Sequence, residues 1–281
     1  MFDVVIRNGL VIDGTGAPGQ IADVALNDGR IAAVGEVSES GAREIDAKGL
    51  VVAPGFVDIH THFDAQVFWD TTLSPSPLHG VTTVISGNCG FTIAPLEPEH
   101  GDYMMQMLAR VEGMPLTSLQ QGVPWNWRTF GEYLDAIDGS LMPNAGFLVG
   151  HSALRRTVMG ERSVGEFASE DELKAMKELL AESIEAGGLG FSSSWAKTHN
   201  DADGDAVPSR HASQRELVEL CAVLKDSPAV ALEFIPTIER FDDEVYQLLT
   251  DMSVAADKPL NWNVIFVNAR QADLIEEKLQ A

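Results

Sequence analysis

The residues best suited to chemistry lie in Pro54-Gly55-Phe56-Val57-Asp58-Ile59-His60-Thr61-His62. Side chains two apart along a strand share a face, so His60 and His62 aim two imidazoles into one space. They stand where the apolar run Phe56 to Ile59 stops, beside Asp58. In a parallel barrel that end of a strand is the active face. Imidazole suits zinc and related divalent cations. The plainer alternative is two surface histidines, or a pair stacked on Phe63. Cys89, in Ser86-Gly87-Asn88-Cys89-Gly90, also follows an apolar run, so its thiol emerges at the same face. Beside zinc it would be a thiolate. A lone cysteine is more often an inert buried residue, and both readings stand at this point. His151, in Val149-Gly150-His151-Ser152, ends a third apolar run and reaches that face as well. His199 and His211 flank Asp201-Ala202-Asp203-Gly204-Asp205. That run lacks the bidentate glutamate of an EF-hand, leaving a substrate-covering loop or a solvated acidic loop. Cys221 falls on the apolar stripe of a predicted helix and reads as core.

These residues need elements to hold them. Residues 1–53 read as a small all-β unit, with strands at Asp3–Arg7, Leu10–Asp13, Ile21–Leu26 and Arg30–Val34. Asn27-Asp28-Gly29 is the hairpin turn between the last two. From Ala53-Pro54-Gly55 onward short apolar runs alternate with helical segments. The runs are Phe56–Ile59, Val81–Ser86, Gly146–Val149, Gly188–Ser192, Val230–Phe234 and Leu260–Ile265. Continuous short apolar runs suit strands buried on both faces, and alternation with helices implies parallel strands with crossover helices. Ser169 with Glu172, and Ser213 with Glu216, read as capping boxes opening two of those helices. The stretch from His100 to Asp138, rich in Met, Trp and Gly, reads as an insertion over the C-terminal face.

Composition bounds the partners. The chain has 281 residues with 19 Lys+Arg against 42 Asp+Glu, a net charge of −23. Such a surface repels nucleic acid and anionic lipid, so neither is an expected partner. Two cysteines exclude a disulfide scaffold. No run approaches the ~18 apolar residues of a membrane span, and the N-terminus shows no secretory signal pattern. A reducing, cytoplasmic setting is the expectation.

The segments "VIRNGLVIDGTG", "DGRIAAVG" and "VVAPGFVDIHTHFD" together resemble the amidohydrolase superfamily. "SPSPLHGVTTVISGNCGFTIAPL", "LVGHSALRRTVMG" and "GLGFSSS" narrow the resemblance to its N-acyl-D-amino-acid deacylase (D-aminoacylase) branch. The resemblance implies a (β/α)8 TIM-type barrel beside a small β domain built from both chain ends. Here residues 1–53 would form the N-terminal part of the β domain. Residues 54–281 would form an incomplete barrel with about six strands, truncated before the last ones. The implied activity is metal-dependent hydrolysis of the amide of an N-acyl-D-amino acid or a related small N-acyl compound. The implied cofactor is one or two divalent ions, zinc first.

Carried over by position, His60 and His62 match the metal pair of the first strand, and Cys89 the zinc-binding cysteine of the second. The family places a histidine at the end of each of strands five and six. This chain has Glu233 and Asn263 nearest those positions, so Glu233 is expected as an oxygen ligand. His151, Asn263 and His199 are expected to touch substrate or support the ligands. The family's catalytic aspartate would fall beyond Ala281, so the catalytic residue is unassigned and this chain alone is expected to be inactive. The alternative is a non-catalytic or split subunit whose barrel a partner chain completes; a homo-oligomer is the other partnership left open.

Overall fold

The computed structural model describes residues 1–265 and 272–279. The chain divides into two compact units, Met1–Phe56 and Val57–Ala281. The change of pattern at Ala53 thus precedes the structural division by a few residues.

In the first unit β1 (Phe2–Val11) pairs antiparallel with β2 (Gln20–Asn27), and β2 with β3 (Arg30–Gly35). β4 (Gly41–Asp46) and the short β5 (Val51–Val52) pair parallel with β1. Asp3–Arg7 and Leu10–Asp13, read as two strands, are parts of one. The break between them is a register shift between Ile6 and Gly9, where Asn8 takes φ +58°. Asparagine tolerates that left-handed conformation, so an interruption that looks like a turn in sequence is a bulge in a continuous strand. Val5, Ala25 and Val37 form this unit's small core.

The second unit is α/β with parallel sheets. β6 (Phe56–Asp58), at the junction, β7 (Val81–Ser86) and β8 (Asn144–Phe147) make one sheet in the order β6-β7-β8. β9 (Val149–Gly150), β10 (Gly190–Ser194), β11 (Ala231–Ile235) and β12 (Leu260–Trp262) make another, in the order β12-β11-β10-β9. The pairings β7–β8, β9–β10, β10–β11 and β11–β12 are all parallel. The apolar run at Gly146–Val149 contributes to both sheets, because the chain leaves β8 and re-enters as β9 after a single residue. Residues 266–271, which follow the sixth run, lie outside the described residues.

The stretch read as an insertion carries three helices, α1 (Gly101–Val111), α2 (Leu116–Gly122) and α3 (Phe130–Ile137). α1 buries Met104, Met105, Met107 and Leu108 on one face. Thr129 and Glu132 cap α3 reciprocally. The crossover helices are α4 (His151–Met159), α5 (Glu170–Glu185), α6 (Gln214–Ala222) and α7 (Asp243–Ala256), followed by α8 (Ala272–Leu279). α5 opens with the full Ser169/Glu172 capping box and buries Leu173, Met176 and Leu180 at helical spacing. At α6 the box is only half formed. Ser213 accepts from Glu216 N–H, but the Glu216 carboxylate turns inward. It meets a buried guanidinium there, and a charged hydrogen bond outweighs a capping contact. The core gathers Phe91, Phe130, Tyr133, Phe191 and Phe234 with the helix stripes. Each such side chain contributes about 1.5–3 kcal/mol by leaving water.

Candidate metal centre

β6 ends at Asp58, and His60 and His62 follow just beyond it. The His60 N–H donates to Asp58 Oδ1 at 3.3 Å. Thr61, between the two histidines, points the other way. Its N–H donates to the Ile85 carbonyl, and its hydroxyl meets Ser86 Oγ at 2.8 Å. This alternation fixes both imidazoles on the opposite side from the β7 contact. The rings stand edge to face with centroids 5.3 Å apart.

Cys89 arrives from the end of β7 through a tight, left-handed loop. Gly87, Cys89 and Gly90 all have positive φ, of +79°, +59° and +78°. A Cβ on Gly87 would stand 2.3 Å from the Leu148 carbonyl oxygen, so only glycine fits there. Cysteine in this region is strained by about 1–3 kcal/mol, and strain of that kind needs surrounding structure to hold it. Two buried side chains from the next sheet supply the hold. Glu233 Oε2 accepts from Cys89 N–H at 2.7 Å, and Ser192 Oγ accepts from Gly90 N–H at 3.0 Å. Ser192 and Glu233 are paired residues of β10 and β11.

The result is convergence. Cys89 Sγ lies 3.4 Å from His60 Nε2 and 3.7 Å from His62 Nε2. Among the described residues these three are the set whose ligand atoms all lie within 4.8 Å of one another. Two ligands of one tetrahedral zinc, with Zn–S ≈ 2.3 Å and Zn–N ≈ 2.0–2.1 Å, stand about 3.6 Å apart. The observed spacing and the nitrogen–sulfur donor set therefore fit a zinc-like cation.

Glu233, expected as an oxygen ligand, is placed against the Cys89 loop. Both its oxygens are occupied, Oε2 by the Cys89 amide and Oε1 by Asn263 Nδ2. It contacts the cysteine through its backbone amide and is not one of the three residues whose ligand atoms all lie within 4.8 Å of one another. Asn263 follows β12 and donates its Nδ2 to Glu233 Oε1. His199 is half-buried, with its ring 5.0 Å from that of Phe91 and Nδ1 2.7 Å from Ser194 Oγ. It is not one of the three residues whose ligand atoms all lie within 4.8 Å of one another. His151 is fully buried. Its Nδ1 meets Ser193 Oγ at 2.8 Å and its Nε2 meets Glu216 Oε1 at 2.8 Å. Arg155 donates to both Glu216 oxygens at 2.6 Å. Both His151 nitrogens are thus engaged inside the core, in a network that ties α4, β10 and α6 together.

Two carboxyls at the site were not singled out by the sequence reading. Asp64 extends the alternation of His60 and His62 by one more step, a signal present in "HTHFD". It is buried and accepts from Gly87 N–H at 3.1 Å. Glu112, which caps the C-terminus of α1, brings Oε2 to 3.6 Å from His62 Nε2. Nothing in its local sequence marks it, because only the folding-back of the insertion brings it there.

Burial governs the charges. It pushes the carboxyls of Asp64 and Glu112 up to about 7 and that of Glu233 up to about 8, and drives the Cys89 thiol well above its ordinary value. It lowers His60, takes His62 down to about 3 and His199 to about 4. The Glu112–His62 contact has the distance of an ion pair, yet an imidazole held that low is neutral, so no charge passes between the two.

A family model described as "Amidohydrolase family" matches residues 43–280, and the chain belongs to that family. It is D-aminoacylase-like. The D-aminoacylase of Alcaligenes xylosoxydans xylosoxydans is 35% identical over 225 residues, covering 79% of this chain and 42% of the relative. An uncharacterised Mycobacterium tuberculosis protein is 37% identical over 282 residues, covering 91% of this chain and 46% of the relative. The chain therefore spans about half the length of the curated relatives it matches. A D-aminoacylase crystal structure superposes with a TM-score of 0.72 at 34% identity, over 93% of this chain and 51% of that one. The N-acyl-D-glutamate deacylase of Bordetella bronchiseptica, solved with zinc and a phosphonate inhibitor, also gives 0.72, at 27% identity, over 99% and 56%. Among the described residues no helix is long and apolar enough to cross a membrane.

Proposed function

We propose that this chain supplies the metal-binding portion of a hydrolase that cleaves the amide bond of an N-acyl-D-amino acid or a closely related small N-acyl compound. The observation that carries the reading is the convergence of His60, His62 and Cys89 within 4.8 Å at the strand ends. Its support is the spacing those atoms share with zinc ligands and the deacylases to which the chain is similar. A (β/α)8 barrel is the architecture we assign to the whole protein, with the two parallel sheets as parts of it. Zinc is the proposed ion, and the cytoplasm the proposed setting.

In this reading His60, His62 and Cys89 hold the cation. When bound there, a divalent ion polarises a scissile carbonyl and brings a water's pKa toward neutrality. The chain's own residues do the positioning. Glu233 anchors the Cys89 amide and so fixes where the thiol points. Asn263 in turn holds Glu233 through Oε1. Phe91 and His199 form one wall beside His62 and keep it desolvated. The base that takes the water's proton and passes it to the leaving nitrogen is assigned to the remainder of the protein.

Metal analysis of the purified full protein, with a screen of N-acyl-D- and L-amino acids for release of the free amino acid, tests this. The expected result is near-stoichiometric zinc, lost in the His60→Ala/His62→Ala variant together with any deacylase activity. A stable protein with no bound metal would instead favour a non-catalytic binding subunit.

A further inference from the structure

Glu112 stands in a place where a carboxylate is doubly disfavoured. Its side chain is only 17% exposed, and it lies at the C-terminal end of α1, where the helix dipole already presents negative charge. Such a glutamate is usually held by a lysine or arginine. Among the described residues no such side chain pairs with it, and its polar neighbour is His62.

The position is nevertheless built. α1 is locked down by Met104, Met105, Met107 and Leu108, and the Glu112 N–H closes the helix on the Leu108 carbonyl. Gly113, at φ +67°, then turns the chain away. The carboxylate is thereby delivered to the side of His62 that also faces Cys89. His62 Nε2 has Sγ at 3.7 Å and Glu112 Oε2 at 3.6 Å. An oxygen and a nitrogen bound to one tetrahedral zinc lie about 3.3 Å apart, so the carboxylate needs only a small adjustment to share an ion with His62.

We propose that Glu112, carried by the helical insertion between β7 and β8, is a further ligand to the cation held by His60, His62 and Cys89. This rests on the metal-centre reading above. It also gives the set a hard oxygen donor, while Glu233 bonds the Cys89 amide and Asn263. The second negative charge, beside the thiolate, would balance a divalent ion and leave both imidazoles neutral.

The test compares wild type, Glu112→Gln and Glu112→Asp in the full protein, with Glu99→Gln as an exposed control from the same segment. Zinc affinity is read by equilibrium dialysis against buffered zinc, and the ligand field from the visible spectrum of the cobalt(II)-substituted protein. Glu112→Gln should weaken zinc binding by about 100-fold or more, and shift the cobalt d–d bands while the thiolate charge-transfer band from Cys89 persists. Its metal-free form should melt no lower than wild type, because a buried carboxylate has been removed. Should that variant fail to fold, Glu112→Asp decides. Keeping the charge but drawing it back by one methylene, it should also bind zinc more weakly at an unchanged metal-free melting temperature. Wild-type affinity and an unaltered cobalt spectrum in the folded variants overturn the assignment of Glu112 alone. A wild type that binds no metal overturns the metal-centre reading and this inference with it.

Discussion

Replacing Glu233 by Gln should stabilise the metal-free protein at neutral pH, although it removes a charge from a candidate active site. Glu233 is fully buried, and burial raises its carboxyl from 4.5 to about 8, against the lowering effect of the Cys89 amide and Asn263. Below pH 4.5 the carboxyl is protonated in both folded and unfolded chains, and the group has no effect on stability. Between pH 4.5 and 8 the unfolded chain releases the proton while the folded chain keeps it. Stability therefore falls as pH rises, by about 1.4 kcal/mol per pH unit, and above 8 the loss is complete. By pH 7 the loss amounts to about 3 kcal/mol, an order-of-magnitude figure. Glutamine has the same shape and carries no such linkage. Its carbonyl can accept from the Cys89 N–H, and its amide can donate to Asn263 Oδ1 once that side chain is flipped. Urea denaturation in chelator at pH 5, 6, 7 and 8 checks this. The wild type should lose stability across the series, and the variant should lose less, the two curves diverging upward in pH. With zinc bound the order should reverse at pH 7, because the cation favours the ionised carboxylate that only the wild type offers. If Glu233→Gln is less stable than wild type by a constant amount at every pH in chelator, the carboxylate is charged and held by its hydrogen bonds, and the reasoning fails.

Two further substitutions probe how the site is held. Gly87→Ala puts a Cβ 2.3 Å from the Leu148 carbonyl oxygen at φ +79°. The left-handed conformation alone costs about 1–2 kcal/mol, and the clash must displace the Cys89 loop. A melting temperature lower by several degrees together with reduced zinc content is expected, and an unchanged melt with full zinc would show that the loop has slack. Glu216→Gln leaves Arg155 charged in the core, and should cost about 3–5 kcal/mol in urea denaturation. Arg155→Met combined with Glu216→Met should recover most of that loss. Losses that simply add in the double variant would show that the two groups act independently.

Much of this arrangement was legible in the residues. Period-two alternation places His60 and His62 on one face whatever the rest of the chain does, because it follows from strand geometry alone. The Ser169/Glu172 box and the stripe Leu173, Met176, Leu180 mark α5 for the same local reason. What could not be read locally depended on contacts made across the chain. Glu216 has the spacing of a capping residue, but Arg155, 61 residues away, captures its carboxylate. Glu233 has the strand position of a ligand, and its bond to the Cys89 N–H could not be read locally because it depends on the left-handed turn at Cys89. Glu112 has no local mark at all, since its approach to His62 depends on where the insertion folds. Metal-ligand alternation is written in short-range sequence, while the supports that aim the ligands are tertiary.

The burial of the cluster's charged groups is consistent with the proposed cation, beside the geometry that carries that reading. Where the chain buries a carboxylate for structure, it supplies donors: burial would raise the Glu216 carboxyl, but His151 first and then Arg155 bring it below its ordinary value. Around Cys89 the pattern is the reverse. Asp64, Glu112 and Glu233 are raised, His60 and His62 are lowered, and burial is the leading cause in every case. No lysine or arginine among the described residues bonds or pairs with any of them. A site built only for packing would be served better by asparagine and glutamine, which make the same hydrogen bonds without the desolvation cost of ionisation. A divalent cation at Sγ and the two Nε2 atoms acts on all of these groups in one direction. It draws the carboxyls and the thiol toward their anions and keeps the imidazoles unprotonated. The same six side chains that are mutually frustrated without a positive charge become complementary around one.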